Sequence, residues 1–110
     1  MIIKYIPTDK QGFIKQVFLD EVLNKHNAML GFYEFFIPEW SKYCITDDGE
    51  TLFDINPDRS ALPKEIAEIL KKYGVSFVDG RLFINAKKDE LEKKEKDFTD
   101  ALKEINNLYV

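Results

Sequence analysis

Apolar residues near the start of the chain recur at three- and four-residue steps: Phe13, Ile14, Val17, Phe18, Val22 and Leu23, with His26 closing the series. That is the period of an amphipathic helix. It predicts a helix over residues 9–27, with Thr8 or Asp9 as its cap. Before it, residues 1–6 form a β-branched run closed by Pro7, the pattern of a short strand. Residues 30–37, LGFYEFFI, read as a strand with Pro38 at its end, where a missing N–H does least harm. Residues 40–46 read as a second strand, antiparallel to the first across a short Pro38-Glu39 link, and residues 52–55 as a third.

The second half is punctuated more sharply. The loop NPDRSALPKE leads into a helix with Ser60 as N-cap and Pro63 in its first turn, where proline is tolerated. Leu62, Ile66, Ile69, Leu70 and Tyr73 form its apolar stripe; Lys71 and Lys72 suit its C-terminal dipole, and Gly74 supplies a left-handed stop. Asp79-Gly80 is a favoured two-residue hairpin turn. Folding the flanks about it sets Val78 opposite Arg81, Phe77 opposite Leu82 and Val75 opposite Ile84, with Val75, Phe77, Leu82 and Ile84 on one apolar face. A long helix over residues 88–108 closes the chain. Its stripe is Leu91, Phe98, Leu102, Ile105 and Leu108, and its charged front half, KKDELEKKEK, projects or packs loosely. The fold class that follows is α+β: one domain over residues 1–110, with a small antiparallel sheet built from two hairpins. An N-terminal helix, a central helix and a long C-terminal helix pack on one face of it.

Composition narrows function more than fold. Hydrophobic residues make up 45% of the 110, enough for a packed core. Sixteen basic against twenty acidic residues leave a net charge of −4, which argues against direct nucleic-acid binding because phosphate contacts usually need a basic face. Lys87, Lys88, Lys93, Lys94 and Lys96 do cluster, but acids interleave them, so they read as a solvated helix face. The single Cys44 admits no intramolecular disulfide. The N-terminus lacks the apolar region of a signal peptide, and no run is long enough to span a membrane. The expectation is a soluble, cytoplasmic protein with no cofactor.

Candidate chemistry centres on YCITDDGETLFDI. Asp47 and Asp48 could hold a hard cation only if a turn brought them together, since neighbours on a strand point to opposite faces. Asp48-Gly49 instead repeats the turn logic of Asp79-Gly80. Asp54, Asn56, Asp58 and Glu65 occupy the first, third, fifth and twelfth places of a calcium loop, but Arg59 stands where glycine is required. Cys44 and His26 are single copies on separate elements; Cys44 reads as a small core residue of a strand and His26 as a surface residue favoured by the dipole at a helix end. A metal-dependent nuclease would want an acid two residues before a strand lysine, where this chain has Asn85-Ala86-Lys87. The aromatic residues Phe32, Tyr33, Phe35, Phe36, Trp40 and Tyr43 are the strongest candidates for a surface, because aromatics anchor protein interfaces.

The order of these pieces resembles the prophage-associated family called domain of unknown function 1828. The likeness rests on Thr46-Asp47-Asp48-Gly49-Glu50-Thr51, Arg59, Tyr73-Gly74-Val75 and Asp79-Gly80-Arg81-Leu82, and covers residues 35–108. Lys25-His26-Asn27-Ala28 matches the polar segment that precedes the family's first strand only in part. The resemblance implies a setting in Gram-positive bacteria, their mobile elements and phages, and brings no enzymatic chemistry. Small acidic proteins of that setting often bind host machinery. The leading expectation is a non-enzymatic phage or prophage accessory protein that occludes a host protein, a possible anti-defence or regulatory inhibitor. Its contact set would be Trp40, Tyr43, Asp47, Asp48, Glu50, Asp54 and Asp58, an acidic edge that competes with nucleic acid for a basic groove. The alternative is a metal-dependent enzyme using Asp47, Asp48 and Asp54.

Overall fold

The computed structural model describes residues 1–8, 13–24, 27–53 and 61–109. Their strands are β1 (Ile2–Pro7), β2 (Phe13–Leu23), β3 (Met29–Ile37), β4 (Lys42–Thr46), β5 (Ser76–Val78) and β6 (Arg81–Ala86). They form one antiparallel sheet in the order β1-β2-β3-β4-β6-β5. Two α-helices, α1 (Lys64–Tyr73) and α2 (Leu91–Asn107), supply the other layer. The two hairpins do join in a single sheet, through β4 and β6.

The N-terminal helix is the main correction. Residues 13–23 are the long strand β2, paired on both sides. Its apolar residues fall as neighbours, 13/14, 17/18 and 22/23, and so supply both faces of a strand while imitating a helical period. Val17 and Leu19 are buried on the helix side, while Ile14, Gln16 and Phe18 lie on the other. An irregularity in pairing between Leu19 and Leu23 breaks the alternation again. The expected cap at Asp9 and the closing His26 lie outside the described residues. The chain returns through Asn24, whose Oδ1 accepts the Ala28 N–H, and Asn27, which takes a positive φ of 62°.

Residues 52–53 are turn rather than the start of a third strand; Leu52 is buried as a core anchor and Phe53 is exposed. α1 begins one residue after Pro63, and Gly74 stops it with φ 68°. The expected cap at Ser60 lies outside the described residues. The second hairpin has the predicted register, Val78 opposite Arg81 and Phe77 opposite Leu82. A short 3-10 turn over Lys88–Glu90 precedes α2, and Leu108 falls beyond the helix end with its side chain exposed. The front of α2 is tied down rather than projecting: Leu91 packs on the core and Lys15 donates to Glu95 at 2.8 Å. Its charges pair along the helix, Lys93 with Asp97 and Lys96 with Asp100.

The core lies between the inner sheet face and the helices. Val17, Leu19, Phe32, Ile45, Leu82 and Ile84 meet Ile66 and Leu70 of α1 and Phe98, Leu102 and Ile105 of α2. Phe32 and Phe98 meet edge to face at 5.6 Å between centroids. The register sends Ile14, Gln16, Phe18, Tyr33, Phe35, Cys44, Thr46 and Phe83 to the other face, away from both helices.

Candidate binding surface

The acidic turn divides its three carboxylates between two jobs. Asp48 and Gly49 both have positive φ, 53° and 84°, and the Glu50 N–H bonds the Asp47 carbonyl at 3.2 Å. This is the type I′ pattern that Asp79 (49°) and Gly80 (80°) repeat in the second hairpin. Asp47 is fully buried. Its Oδ1 accepts the N–H groups of Gly49 (2.9 Å) and Leu82 (3.0 Å), and its Oδ2 accepts that of Thr51 (3.0 Å). Its own N–H donates to the Leu82 carbonyl, as does the Thr46 hydroxyl. Asp47 therefore extends the ladder between β4 and β6 and closes the turn. It does not belong to an exposed acidic edge, because a buried carboxylate survives only when hydrogen bonds occupy it.

Asp48 and Glu50 are on the surface. Asp48 sits 3.6 Å from the Arg81 guanidinium, both largely exposed, so the pair contributes little to stability. Glu50 accepts a long hydrogen bond from the Tyr33 hydroxyl, which itself accepts one from Gln16 Nε2. Partial burial, then the nearby Asp47 charge, hold the Glu50 carboxyl above its ordinary range despite the Tyr33 bond. Burial and the Glu50 charge likewise push the Tyr33 phenol up.

Tyr33, Asp48 and Arg81 edge an open groove of about 710 Å³ on the helix-free face of the sheet. Ile14, Phe35, Val78 and Phe83 make its apolar floor and walls; Tyr33, Thr46, Asp48 and Arg81 stand at its polar side. Cys44 also lines it, with burial pushing the thiol up, the opposite of an activated nucleophile. The groove was missed as a unit in the sequence. Strand alternation could have assigned Phe35 and Cys44 to one face. Placing Phe83 and Arg81 beside them required knowing that β6 pairs with β4.

Trp40 and Tyr43 do not join this site. Trp40 is exposed on the 3-10 turn between β3 and β4. The five residues of β4 put roughly 16 Å between that end and the acidic turn. Tyr43 points to the helix side, its ring 5.1 Å from that of Phe36. Asp54 and Asp58, and with them most of the calcium-loop pattern and Arg59, lie outside the described residues. As for metal chemistry, the Asp47 oxygens are committed to three amide protons, which removes one ligand of the expected set.

The architecture defines a two-layer α+β domain with one sheet face under helices and the other left with a groove. The chain belongs to the family described as Domain of unknown function DUF1828, which matches residues 22–105. The match runs from the end of β2 to the last turns of α2, further toward the N-terminus than the motifs alone suggest. No curated protein and no solved structure matches the chain. Among the described residues no helix is long and apolar enough to cross a membrane.

Proposed function

We propose that the chain is a non-enzymatic binding domain of phage or prophage origin that occludes a host protein in the bacterial cytoplasm. The observation that carries this reading is the apolar groove with Asp48 at its polar side, on the turn that also exposes Glu50. A hydrophobic floor with few polar groups is the usual form of a recognition site. In the groove Asp48 faces the cation Arg81, and Glu50, exposed on the same turn, adds a second acid beside it. The complementary partner is a protein segment that inserts an apolar side chain and brings lysine or arginine against the acidic turn. Such a segment is what a nucleic-acid-binding protein offers, so occupancy would compete with nucleic acid. Trp40, at the far end of β4, would belong to a separate contact.

The test is affinity capture from host lysate followed by identification of the retained protein and direct titration with it. The expected result is one basic protein, bound by the wild type and lost on Asp48→Lys/Glu50→Lys and on Val78→Asp. Equal binding by these variants would overturn the groove as the contact. Calorimetry with Mg²⁺, Mn²⁺ and Ca²⁺ addresses the enzyme alternative: no heat is expected at millimolar metal, and saturable heat lost on Asp48→Asn would favour the metal reading.

A further inference from the structure

The second concentration of charge lies under α2, away from the groove. Pairing places Tyr5 of β1, Lys15 of β2, Glu34 of β3 and Ile45 of β4 in one row across the inner face. Glu95 of α2 lies over the row, 2.8 Å from the Lys15 ammonium. Glu34 is 6% exposed, its Oε2 is 3.9 Å from the same ammonium, and its Oε1 has no hydrogen-bond partner. The Glu95 and Glu34 carboxyl groups therefore meet at the same ammonium. On β4, the diagonal neighbours of Glu34 are otherwise engaged, Tyr43 against Phe36 and Asp47 on backbone amides. One cation thus serves two carboxyl groups, and a buried oxygen is left over.

Two ionised carboxylates at this spacing would carry an uncompensated charge at the seam between helix and sheet, which the low local dielectric makes costly. One shared proton removes that charge and supplies the missing donor. We propose that Glu34, Glu95 and Lys15 form a proton-operated latch, which clamps the front half of α2 to the sheet while one proton is shared and loosens it when both carboxyl groups ionise. Burial of Glu34, then its hydrogen bond to Glu95 and the Glu95 charge, raise its pKa to about 7 against the pull of Lys15. Glu95 and Glu34 together hold the Lys15 ammonium above its usual range although burial opposes them, so the lysine stays charged throughout. A carboxyl group whose affinity for a proton is higher with the helix docked makes opening easier as pH rises from about 4.5 to about 7, and indifferent to pH above that.

Amide hydrogen exchange over residues 91–98, with each rate divided by its intrinsic value, reads this opening directly. In the wild type, opening is expected to increase on the order of tenfold between pH 5.5 and 7.5. Glu34→Gln keeps the shape and a donor but cannot ionise, and is expected to give a flat profile. Glu95→Gln, at a partly exposed position, is expected to shrink the response without abolishing it, because burial of Glu34 remains while the Glu95 contribution is lost. A flat wild-type profile, or a full pH response that persists in Glu95→Gln, would overturn the proposal.

Discussion

Asp47 and Asp48 are sequence neighbours with opposite fates, and the difference sets what substitution does. Asp47→Ala removes acceptors from three backbone amides, two of them buried. It should cost about 3 kcal/mol or more in urea unfolding, and Asp47→Asn, which keeps one oxygen, should cost less. Asp48→Ala at the exposed position should change stability by under about 1 kcal/mol. The sequence disclosed the turn through Asp48-Gly49, but not which aspartate is interior, because the Leu82 amide that claims Asp47 comes 35 residues later. Glu34 acts on pH dependence with a definite sign. Its carboxyl rises from the ordinary 4.5 to about 7 in the folded protein, so the folded state holds the extra proton between those values. Its stabilising effect is full below about pH 4.5 and is lost as pH climbs to about 7, at most about 3 kcal/mol. Subtracting the unfolding free energies of Glu34→Gln from those of the wild type across that range should isolate this slope.

At the scale of elements, glycines mark where strands and helices are constrained. A Cβ on Gly31 would come within 2.5 Å of the Val17 carbonyl oxygen, a backbone atom that cannot step aside without disturbing the β2–β3 pairing. Gly31→Ala should therefore destabilise by more than about 2 kcal/mol. Gly74→Ala, in open space but at φ 68°, should cost only about 1 kcal/mol, and calorimetric melting separates the two cases. Elements with one buried face, α1, α2, β5 and β6, were legible because their apolar residues keep one period. β2 was not, since residues from both faces contribute to its pattern and a pairing irregularity interrupts it. Leu52 fits a strand pattern in the sequence because an apolar residue that anchors a turn in the core looks the same there as one on a strand.

For the whole molecule, the sheet order decides what is brought together. Pairing β4 with β6 places Asp48 and Arg81 side by side and joins Phe35 and Cys44 to Phe83 in one groove. Apolar content and local acidity were visible in the sequence; this assembly was not, because it depends on a contact between distant segments. If the groove is the contact surface, binding should weaken with rising salt in the wild type and lose that dependence in Asp48→Lys/Glu50→Lys, as titration at two ionic strengths would register. The same sheet order has a kinetic consequence. β1 to β4 follow one another closely in the chain, whereas β4 meets β6 only after a long intervening segment, which includes α1 and β5, has been gathered in. Closure of that long loop is the slow, entropically opposed event in such topologies. Asp47, which stitches the two strands at their junction, then belongs to the rate-limiting nucleus. In stopped-flow experiments Asp47→Asn should slow refolding more than it hastens unfolding.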